Sequence, residues 1–190
     1  MPLPRLTDLP AITLRPEELV PQRINRAPSP LLATGLPWAT VMLASLAAFS
    51  PVIASAPVAP PLAFMVFLAW RMLRPSLLPI WAGLPLGAFD DLYSGQPFGS
   101  GIVLWSAAML AMDAIDNRLL WRSFAQDWAV ACLLVTAYLA LAAGIAGLAA
   151  GYPLPLVIGP QILVSLALYP LLTRAVALLD RIRLLPLKAV

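Results

Sequence analysis

Two adjacent carboxylates, Asp90 and Asp91, sit at the centre of a chain that is otherwise poor in groups able to do chemistry. Asp91 belongs to a series, Gly83, Gly87, Asp91 and Gly95, that recurs every fourth residue. Four residues advance an α-helix by about 400°, so the set drifts ~40° per step and lines one narrow face. Small residues at that spacing let a second helix approach closely. A carboxylate on such a face points into a helical bundle, where an ionisable group is costly unless it is paired or wet. Asp90 lies about 100° further round the helix and is expected at the outer headgroup level. Two meanings of Asp91 stay open. It marks a contact point for a partner or ligand near the outer surface, or it caps a helix, because Asp-Leu-Tyr-Ser-Gly-Gln-Pro carries turn chemistry and a carboxylate accepts backbone N–H bonds there.

Catalysis finds little to work with. The chain has no histidine and one cysteine, Cys132, which excludes a histidine-ligated metal site, a Ser-His-Asp triad, a Cys-His pair and an intrachain disulfide. Two neighbouring carboxylates with no second acid, base or metal ligand nearby do not make an acid/base pair. No catalytic residue, metal or cofactor is expected. A second charged group, Asp113, Asp116, Arg118, Arg122 and Asp127, falls at the end of a fourth helix and in the loop after it. Ion pairs with Arg71 and Arg74 are the expected outcome. Gly83, Asp90 and Asp113 are secondary site candidates. Ala143, Gly147 and Gly151 form another small-residue face, and Gln161 and Ser165 a polar i, i+4 pair; both read as helix packing. Trp105 reads as lipid-packed and Trp121 as an interface anchor.

The elements that must position these residues are membrane helices. The chain is 61% apolar and 11% charged, with a mean hydropathy of +0.87, whereas soluble domains carry about 25% charge. A bilayer core about 30 Å thick takes ~20 apolar residues of helix. Arg26 and Arg71 bracket 44 uncharged residues, and Asp127 and Arg174 bracket 46. Each stretch is two spans and a turn, with turn chemistry at Ser50-Pro51 to Pro60-Pro61 and at Gly151-Tyr152-Pro153-Leu154-Pro155. A third hairpin, turning near Ser94-Gly95-Gln96-Pro97, lies between them. Six transmembrane helices follow, at roughly 31–50, 58–73, 76–93, 98–116, 128–150 and 156–178.

All twelve Lys and Arg residues fall before the first helix, between the second and third, between the fourth and fifth, or from the end of the sixth onward. The positive-inside rule then places both termini in the cytoplasm. It also assigns the +3 net charge to membrane orientation, so no nucleic-acid partner is expected. Residues 1–30, with seven prolines, read as a cytoplasmic tail with a short turn from Pro16, residues 31–180 as the six-helix domain, and 181–190 as a basic cytoplasmic or interfacial tail.

The stretch from Leu84 to Gly99 resembles the signature of the MreD family of bacterial rod-shape-determining membrane proteins. The family pattern is a glycine, an aspartate four residues on, then Gly-x-Pro-x-Gly; here those positions are Gly87, Asp91, Gly95, Pro97 and Gly99. Trp70-Arg71-Met72-Leu73-Arg74-Pro75 is similar to the family's short basic loop. The proline-rich tail and Asp90 are additions to the pattern. The resemblance implies a non-enzymatic, multi-pass inner-membrane scaffold for cell elongation and lateral peptidoglycan synthesis. Its partners would be MreC, the MreB cytoskeleton, RodA and the elongation-specific transpeptidase. It also implies a bundle similar to the substrate-binding subunits of energy-coupling-factor transporters, and with it an alternative function: a membrane subunit holding a vitamin-type solute. The short, mostly apolar outer turns favour the scaffold, whose partner-contact candidates are the five motif residues.

Overall fold

The computed structural model describes residues 30–47, 59–118, 123–150 and 158–183. These residues form six α-helices: α1 (Pro30–Leu46), α2 (Leu62–Leu73), α3 (Gly83–Asp91), α4 (Ser100–Arg118), α5 (Phe124–Ala150) and α6 (Gly159–Arg183), with a 3-10 turn at Ile80–Ala82 before α3. There is no strand among them. The expectations for the N-terminal tail, for the turns within 48–58 and 151–157, for Trp121 and Arg122, and for residues 184–190 lie outside the described residues.

The boundaries follow local chemistry. Helix α2 starts at Leu62 rather than 58, because Pro60 and Pro61 cannot supply interior N–H groups. Helix α3 is shorter than the expected 76–93. Pro75 and Pro79 leave residues 74–79 without helix, and Pro85 is tolerated only because it falls in the first turn of α3. At the other end, Gly95 adopts φ +68°, so it sits in a turn and not on the helical face with Gly83, Gly87 and Asp91. Helix α5 begins four residues earlier than expected, at Phe124. Ser123 and Gln126 cap it reciprocally: the Ser123 N–H donates to Gln126 Oε1 at 2.9 Å and the Gln126 N–H to Ser123 Oγ at 3.4 Å, the geometry of a capping box.

Helix α2 is the axis of the molecule. Every residue from Ala63 to Arg71 is buried, as expected of a helix apolar on all sides. Helices α1, α5 and α6 pack on it, and α4 reaches it through Trp105, whose ring lies 4.8 Å from Phe67 and 5.8 Å from Phe64. Trp105 is completely buried; it is a core residue and not a lipid-facing one. The opposite surface is apolar as well. Leu43, Leu110, Leu133, Leu141, Leu163 and Leu171 are each more than half exposed, an outer coat suited to acyl chains and not to water. Helices α5 and α6 contain stretches, Phe124–Leu148 and Gly159–Arg183, long and apolar enough by length and composition to cross a bilayer.

At one end of the bundle the basic residues are tied down. The Arg71 side chain, 5% exposed, pairs with Asp116 at 3.1 Å and lies 3.9 Å from Asp113. Arg74 does not join that group. It pairs with Asp180 at 3.1 Å, and Arg183 holds the other Asp180 oxygen at 2.8 Å. Asp180 and Arg183 are both buried, so α6 continues as one helix through Arg183 and the expected domain boundary at 180 falls inside it. Of the charges that interrupt its apolar pattern, Asp180 and Arg183 satisfy each other, while Arg174 and Arg181 are exposed.

Candidate functional site

Among the described residues α3 and α4 pack more extensively on each other than any other helix pair, and three glycines let their backbones meet. A Cβ at Gly87 would lie 2.6 Å from the Gly101 carbonyl oxygen, and one at Gly83 would lie 2.8 Å from that of Trp105. One at Gly101 would meet Asp91 Oδ1 at 2.7 Å and the Gly87 carbonyl at 2.9 Å. Backbone therefore touches backbone at the crossing, which only hydrogen side chains permit. The Gly83/Gly87/Asp91 face is thus the contact that the fourfold spacing predicts, with α4 as its partner.

Asp91, at the last turn of α3, lays its carboxylate across the start of α4. Oδ2 accepts the N–H groups of Gly99 at 2.9 Å and Ile102 at 3.3 Å; Oδ1 accepts the N–H of Gly101 at 2.7 Å and the Ser100 hydroxyl at 3.3 Å. The first N–H groups of any helix lack internal acceptors, and the positive end of the helix dipole favours an anion there. One side chain meets both needs, and the residue is 6% exposed. Of the two meanings left open for Asp91, capping is the one its bonds display, and the cap is given to the next helix.

The remaining motif residues build the turn between the two helices. Gly95 at φ +68° and Gly99 at φ +98° take left-handed backbone conformations, with open space where a Cβ would stand; their glycines are required by conformation and not by crowding. Pro97 lies between them, and its carbonyl accepts the Ser100 N–H at 3.0 Å as α4 begins. Gly87, Asp91, Gly95, Pro97 and Gly99 are thus brought together as one joint. Asp113 is not part of it. It lies 12 residues along α4 from Gly101, about 18 Å at the rise of a helix, among the arginine pairs at the other end.

Asp90, expected at the headgroup level, is turned into the bundle at the end of α3. It is 8% exposed and lines a cavity of about 700 Å³ between the ends of α1, α2, α3 and α6 and the middle of α5. Sequence reasoning passed over three residues here: Ser100 and Gly101, which bond Asp91, and Tyr138, which lines the cavity beside Asp90. Gly101 and Ser100 were legible as the small residues directly after Gly99. Tyr138, buried in the middle of an apolar helix with its ring stacked on Phe64 at 4.1 Å, carries no local signal beyond its hydroxyl. Gln161 and Ser165 pack as expected: the Ser165 hydroxyl donates to the Gln161 carbonyl at 2.6 Å, and the Gln161 amide ties α6 to the Ala59 carbonyl at 2.7 Å. Among the described residues no three acidic or thiol side chains gather where they could hold a metal ion.

A helical bundle with a lipid-suited coat, a buried glycine crossing and a motif carboxylate spent on a helix cap defines a class: a membrane protein whose sequence motif serves its architecture. A family model described as rod shape-determining protein MreD matches residues 33–181, most of the chain. The chain belongs to the MreD family, and with it to the rod-shape-determining membrane proteins. No curated protein and no solved structure matches it.

Proposed function

We propose that this chain is an integral inner-membrane scaffold and regulatory subunit of the bacterial elongation complex, supporting rod shape and lateral peptidoglycan synthesis by binding MreC. MreB, RodA and the elongation-specific transpeptidase stand in the same assembly. The six helices cross the membrane with both termini cytoplasmic; α2 and α3, of 12 and 9 residues, cross with the help of the non-helical segments that precede them.

The observation that carries this reading is the α3–α4 joint. Its carboxylate and glycines are consumed in fixing the turn, which leaves the turn itself as the feature presented. Leu92 and Phe98 are 65% and 71% exposed on it. A rigid turn with apolar side chains outward is suited to reading by another protein's apolar surface. Asp91 is too buried to be read directly and acts by holding the turn in shape.

Co-purification from membranes tests this. Tagged wild-type chain is expected to recover MreC, and Leu92→Ser with Phe98→Ser to lose it at unchanged membrane abundance. Wild-type chain that recovers no MreC under conditions that preserve the elongation complex would end the proposal.

A further inference from the structure

The two adjacent carboxylates are treated very differently by the fold. Asp91 accepts four hydrogen bonds. Asp90, equally buried, has for neighbours the Ser45 hydroxyl and the like charge of Asp91. Among the described residues no Lys or Arg lines the cavity it faces. A buried carboxylate without a cation is costly, and nothing in the helix packing requires one here. Architecture accounts for Asp91 and leaves Asp90 unexplained.

The cavity supplies a context. At about 700 Å³ it lies within the 300–1,000 Å³ typical of small-molecule sites. Its floor includes the stacked rings of Phe64 and Tyr138, and aromatic faces attract cations. Gln96, Gln161 and Ser94 line it beside Asp90, and the Ser94 hydroxyl is buried without a hydrogen bond. Leu139, Leu62 and Val164 make the rest of the wall apolar. A bare metal ion does not fit this set, because hard cations need six or more oxygen ligands and the Asp91 oxygens are already committed. An organic cation needs one counter-charge, a few acceptors and an apolar wall.

We infer that the cavity beside Asp90 binds an ammonium-bearing organic molecule, its positive group against the Asp90 carboxylate and the Tyr138 ring and its apolar part along Leu139 and Val164. The ammonium belongs either to an aminolipid headgroup entering from the bilayer or to a free amine. The site stands on the cavity and is independent of the partner-binding proposal.

The test uses full-length chain in nanodiscs and octylammonium chloride as probe, with octanol as the uncharged control of equal length. Octylammonium is expected to raise the unfolding midpoint of wild-type chain and octanol to leave it unchanged. Asp90→Asn, nearly isosteric, should weaken octylammonium binding roughly tenfold to a hundredfold, as expected for loss of a hydrogen bond to a charged group. Val164→Trp keeps the carboxylate and fills the cavity wall, and should abolish binding by obstruction. Nanodiscs containing phosphatidylethanolamine distinguish the two sources: competition with octylammonium relative to phosphatidylglycerol nanodiscs assigns the site to the lipid, and no competition assigns it to a free amine. Equal responses to octylammonium and octanol, no response to either, or unchanged octylammonium affinity in either variant would overturn the inference.

Discussion

Asp91 and Gly87 show how two residues a single turn apart are constrained by different physics. Removing the Asp91 carboxylate leaves the N–H groups of Gly99, Gly101 and Ile102 without their acceptor, and loss of a helix cap costs about 0.5–2 kcal/mol. Asp91→Ala is therefore expected to lower both membrane abundance and rod-shape support, and Asp91→Asn to be milder because the amide keeps one acceptor oxygen. Immunoblots of membranes together with cell-shape measurements check this; normal abundance with rod-shaped cells for Asp91→Ala would contradict the capping role. Gly87→Ala fails for a steric reason. Its Cβ would lie 2.6 Å from a backbone oxygen, and such overpacking costs about 1–3 kcal/mol. Gly95→Ala meets open space and bears only the left-handed backbone, about 1–2 kcal/mol. Unfolding midpoints of purified protein should rank Gly87→Ala at or below Gly95→Ala, and a Gly87→Ala midpoint clearly above that of Gly95→Ala would contradict the steric assignment. Asp91 and its glycines were legible in the sequence because a fourfold spacing has one geometric meaning on a helix. Gly95 was misplaced by the same rule, since periodicity does not show where the helix stops.

The elements are held at their ends by charge and along their lengths by apolar packing. Asp180 joins α6 to the segment after α2 by receiving Arg74 and Arg183 on its two oxygens. Arg183 is 8% exposed at the side chain and Arg74 48%, so solvent screens the second pair far more than the first. Asp180→Asn should destabilise the end of α6 by about 1.5–3 kcal/mol, the range for hydrogen bonds to charged groups. Arg183→Gln should be felt more than Arg74→Gln. Limited proteolysis of detergent-solubilised protein, followed as cleavage after Arg174 and Arg181, reads this order directly; faster cleavage in Arg74→Gln than in Arg183→Gln would reverse the assignment. The sequence showed that charges cluster at this end but not which acid each arginine finds. Arg74 and Asp180 are 106 residues apart, and no local pattern encodes a pairing set by how α2 and α6 pack. The starts of α2 and α5 were encoded locally, by Pro60-Pro61 and Ser123-x-x-Gln126, but hydropathy alone set them at 58 and 128 and missed both.

At the scale of the whole molecule, the six helices of the described residues were readable from charge-free runs and the placement of twelve basic residues, because long apolar runs bounded by charge and proline mark helices directly in the sequence. The internal cavity was not, because it arises from five elements that meet only in three dimensions. The structure sharpens the topology into a physical test. The turn carrying Phe98 and the start of α5 at Ser123 lie on either side of α4, a 19-residue helix about 28 Å long at 1.5 Å per residue, close to the ~30 Å of a bilayer core. If α4 crosses, these two points face opposite aqueous phases, and the basic residues place Ser123 inside. In a Cys132→Ser background, a membrane-impermeant maleimide applied to intact spheroplasts should label Phe98→Cys and spare Ser123→Cys until the membrane is permeabilised. Cys132 must be removed because it is only partly buried. Labelling of both sites from outside would mean that α4 lies along the membrane, and labelling of Ser123→Cys alone would invert the orientation of the whole bundle.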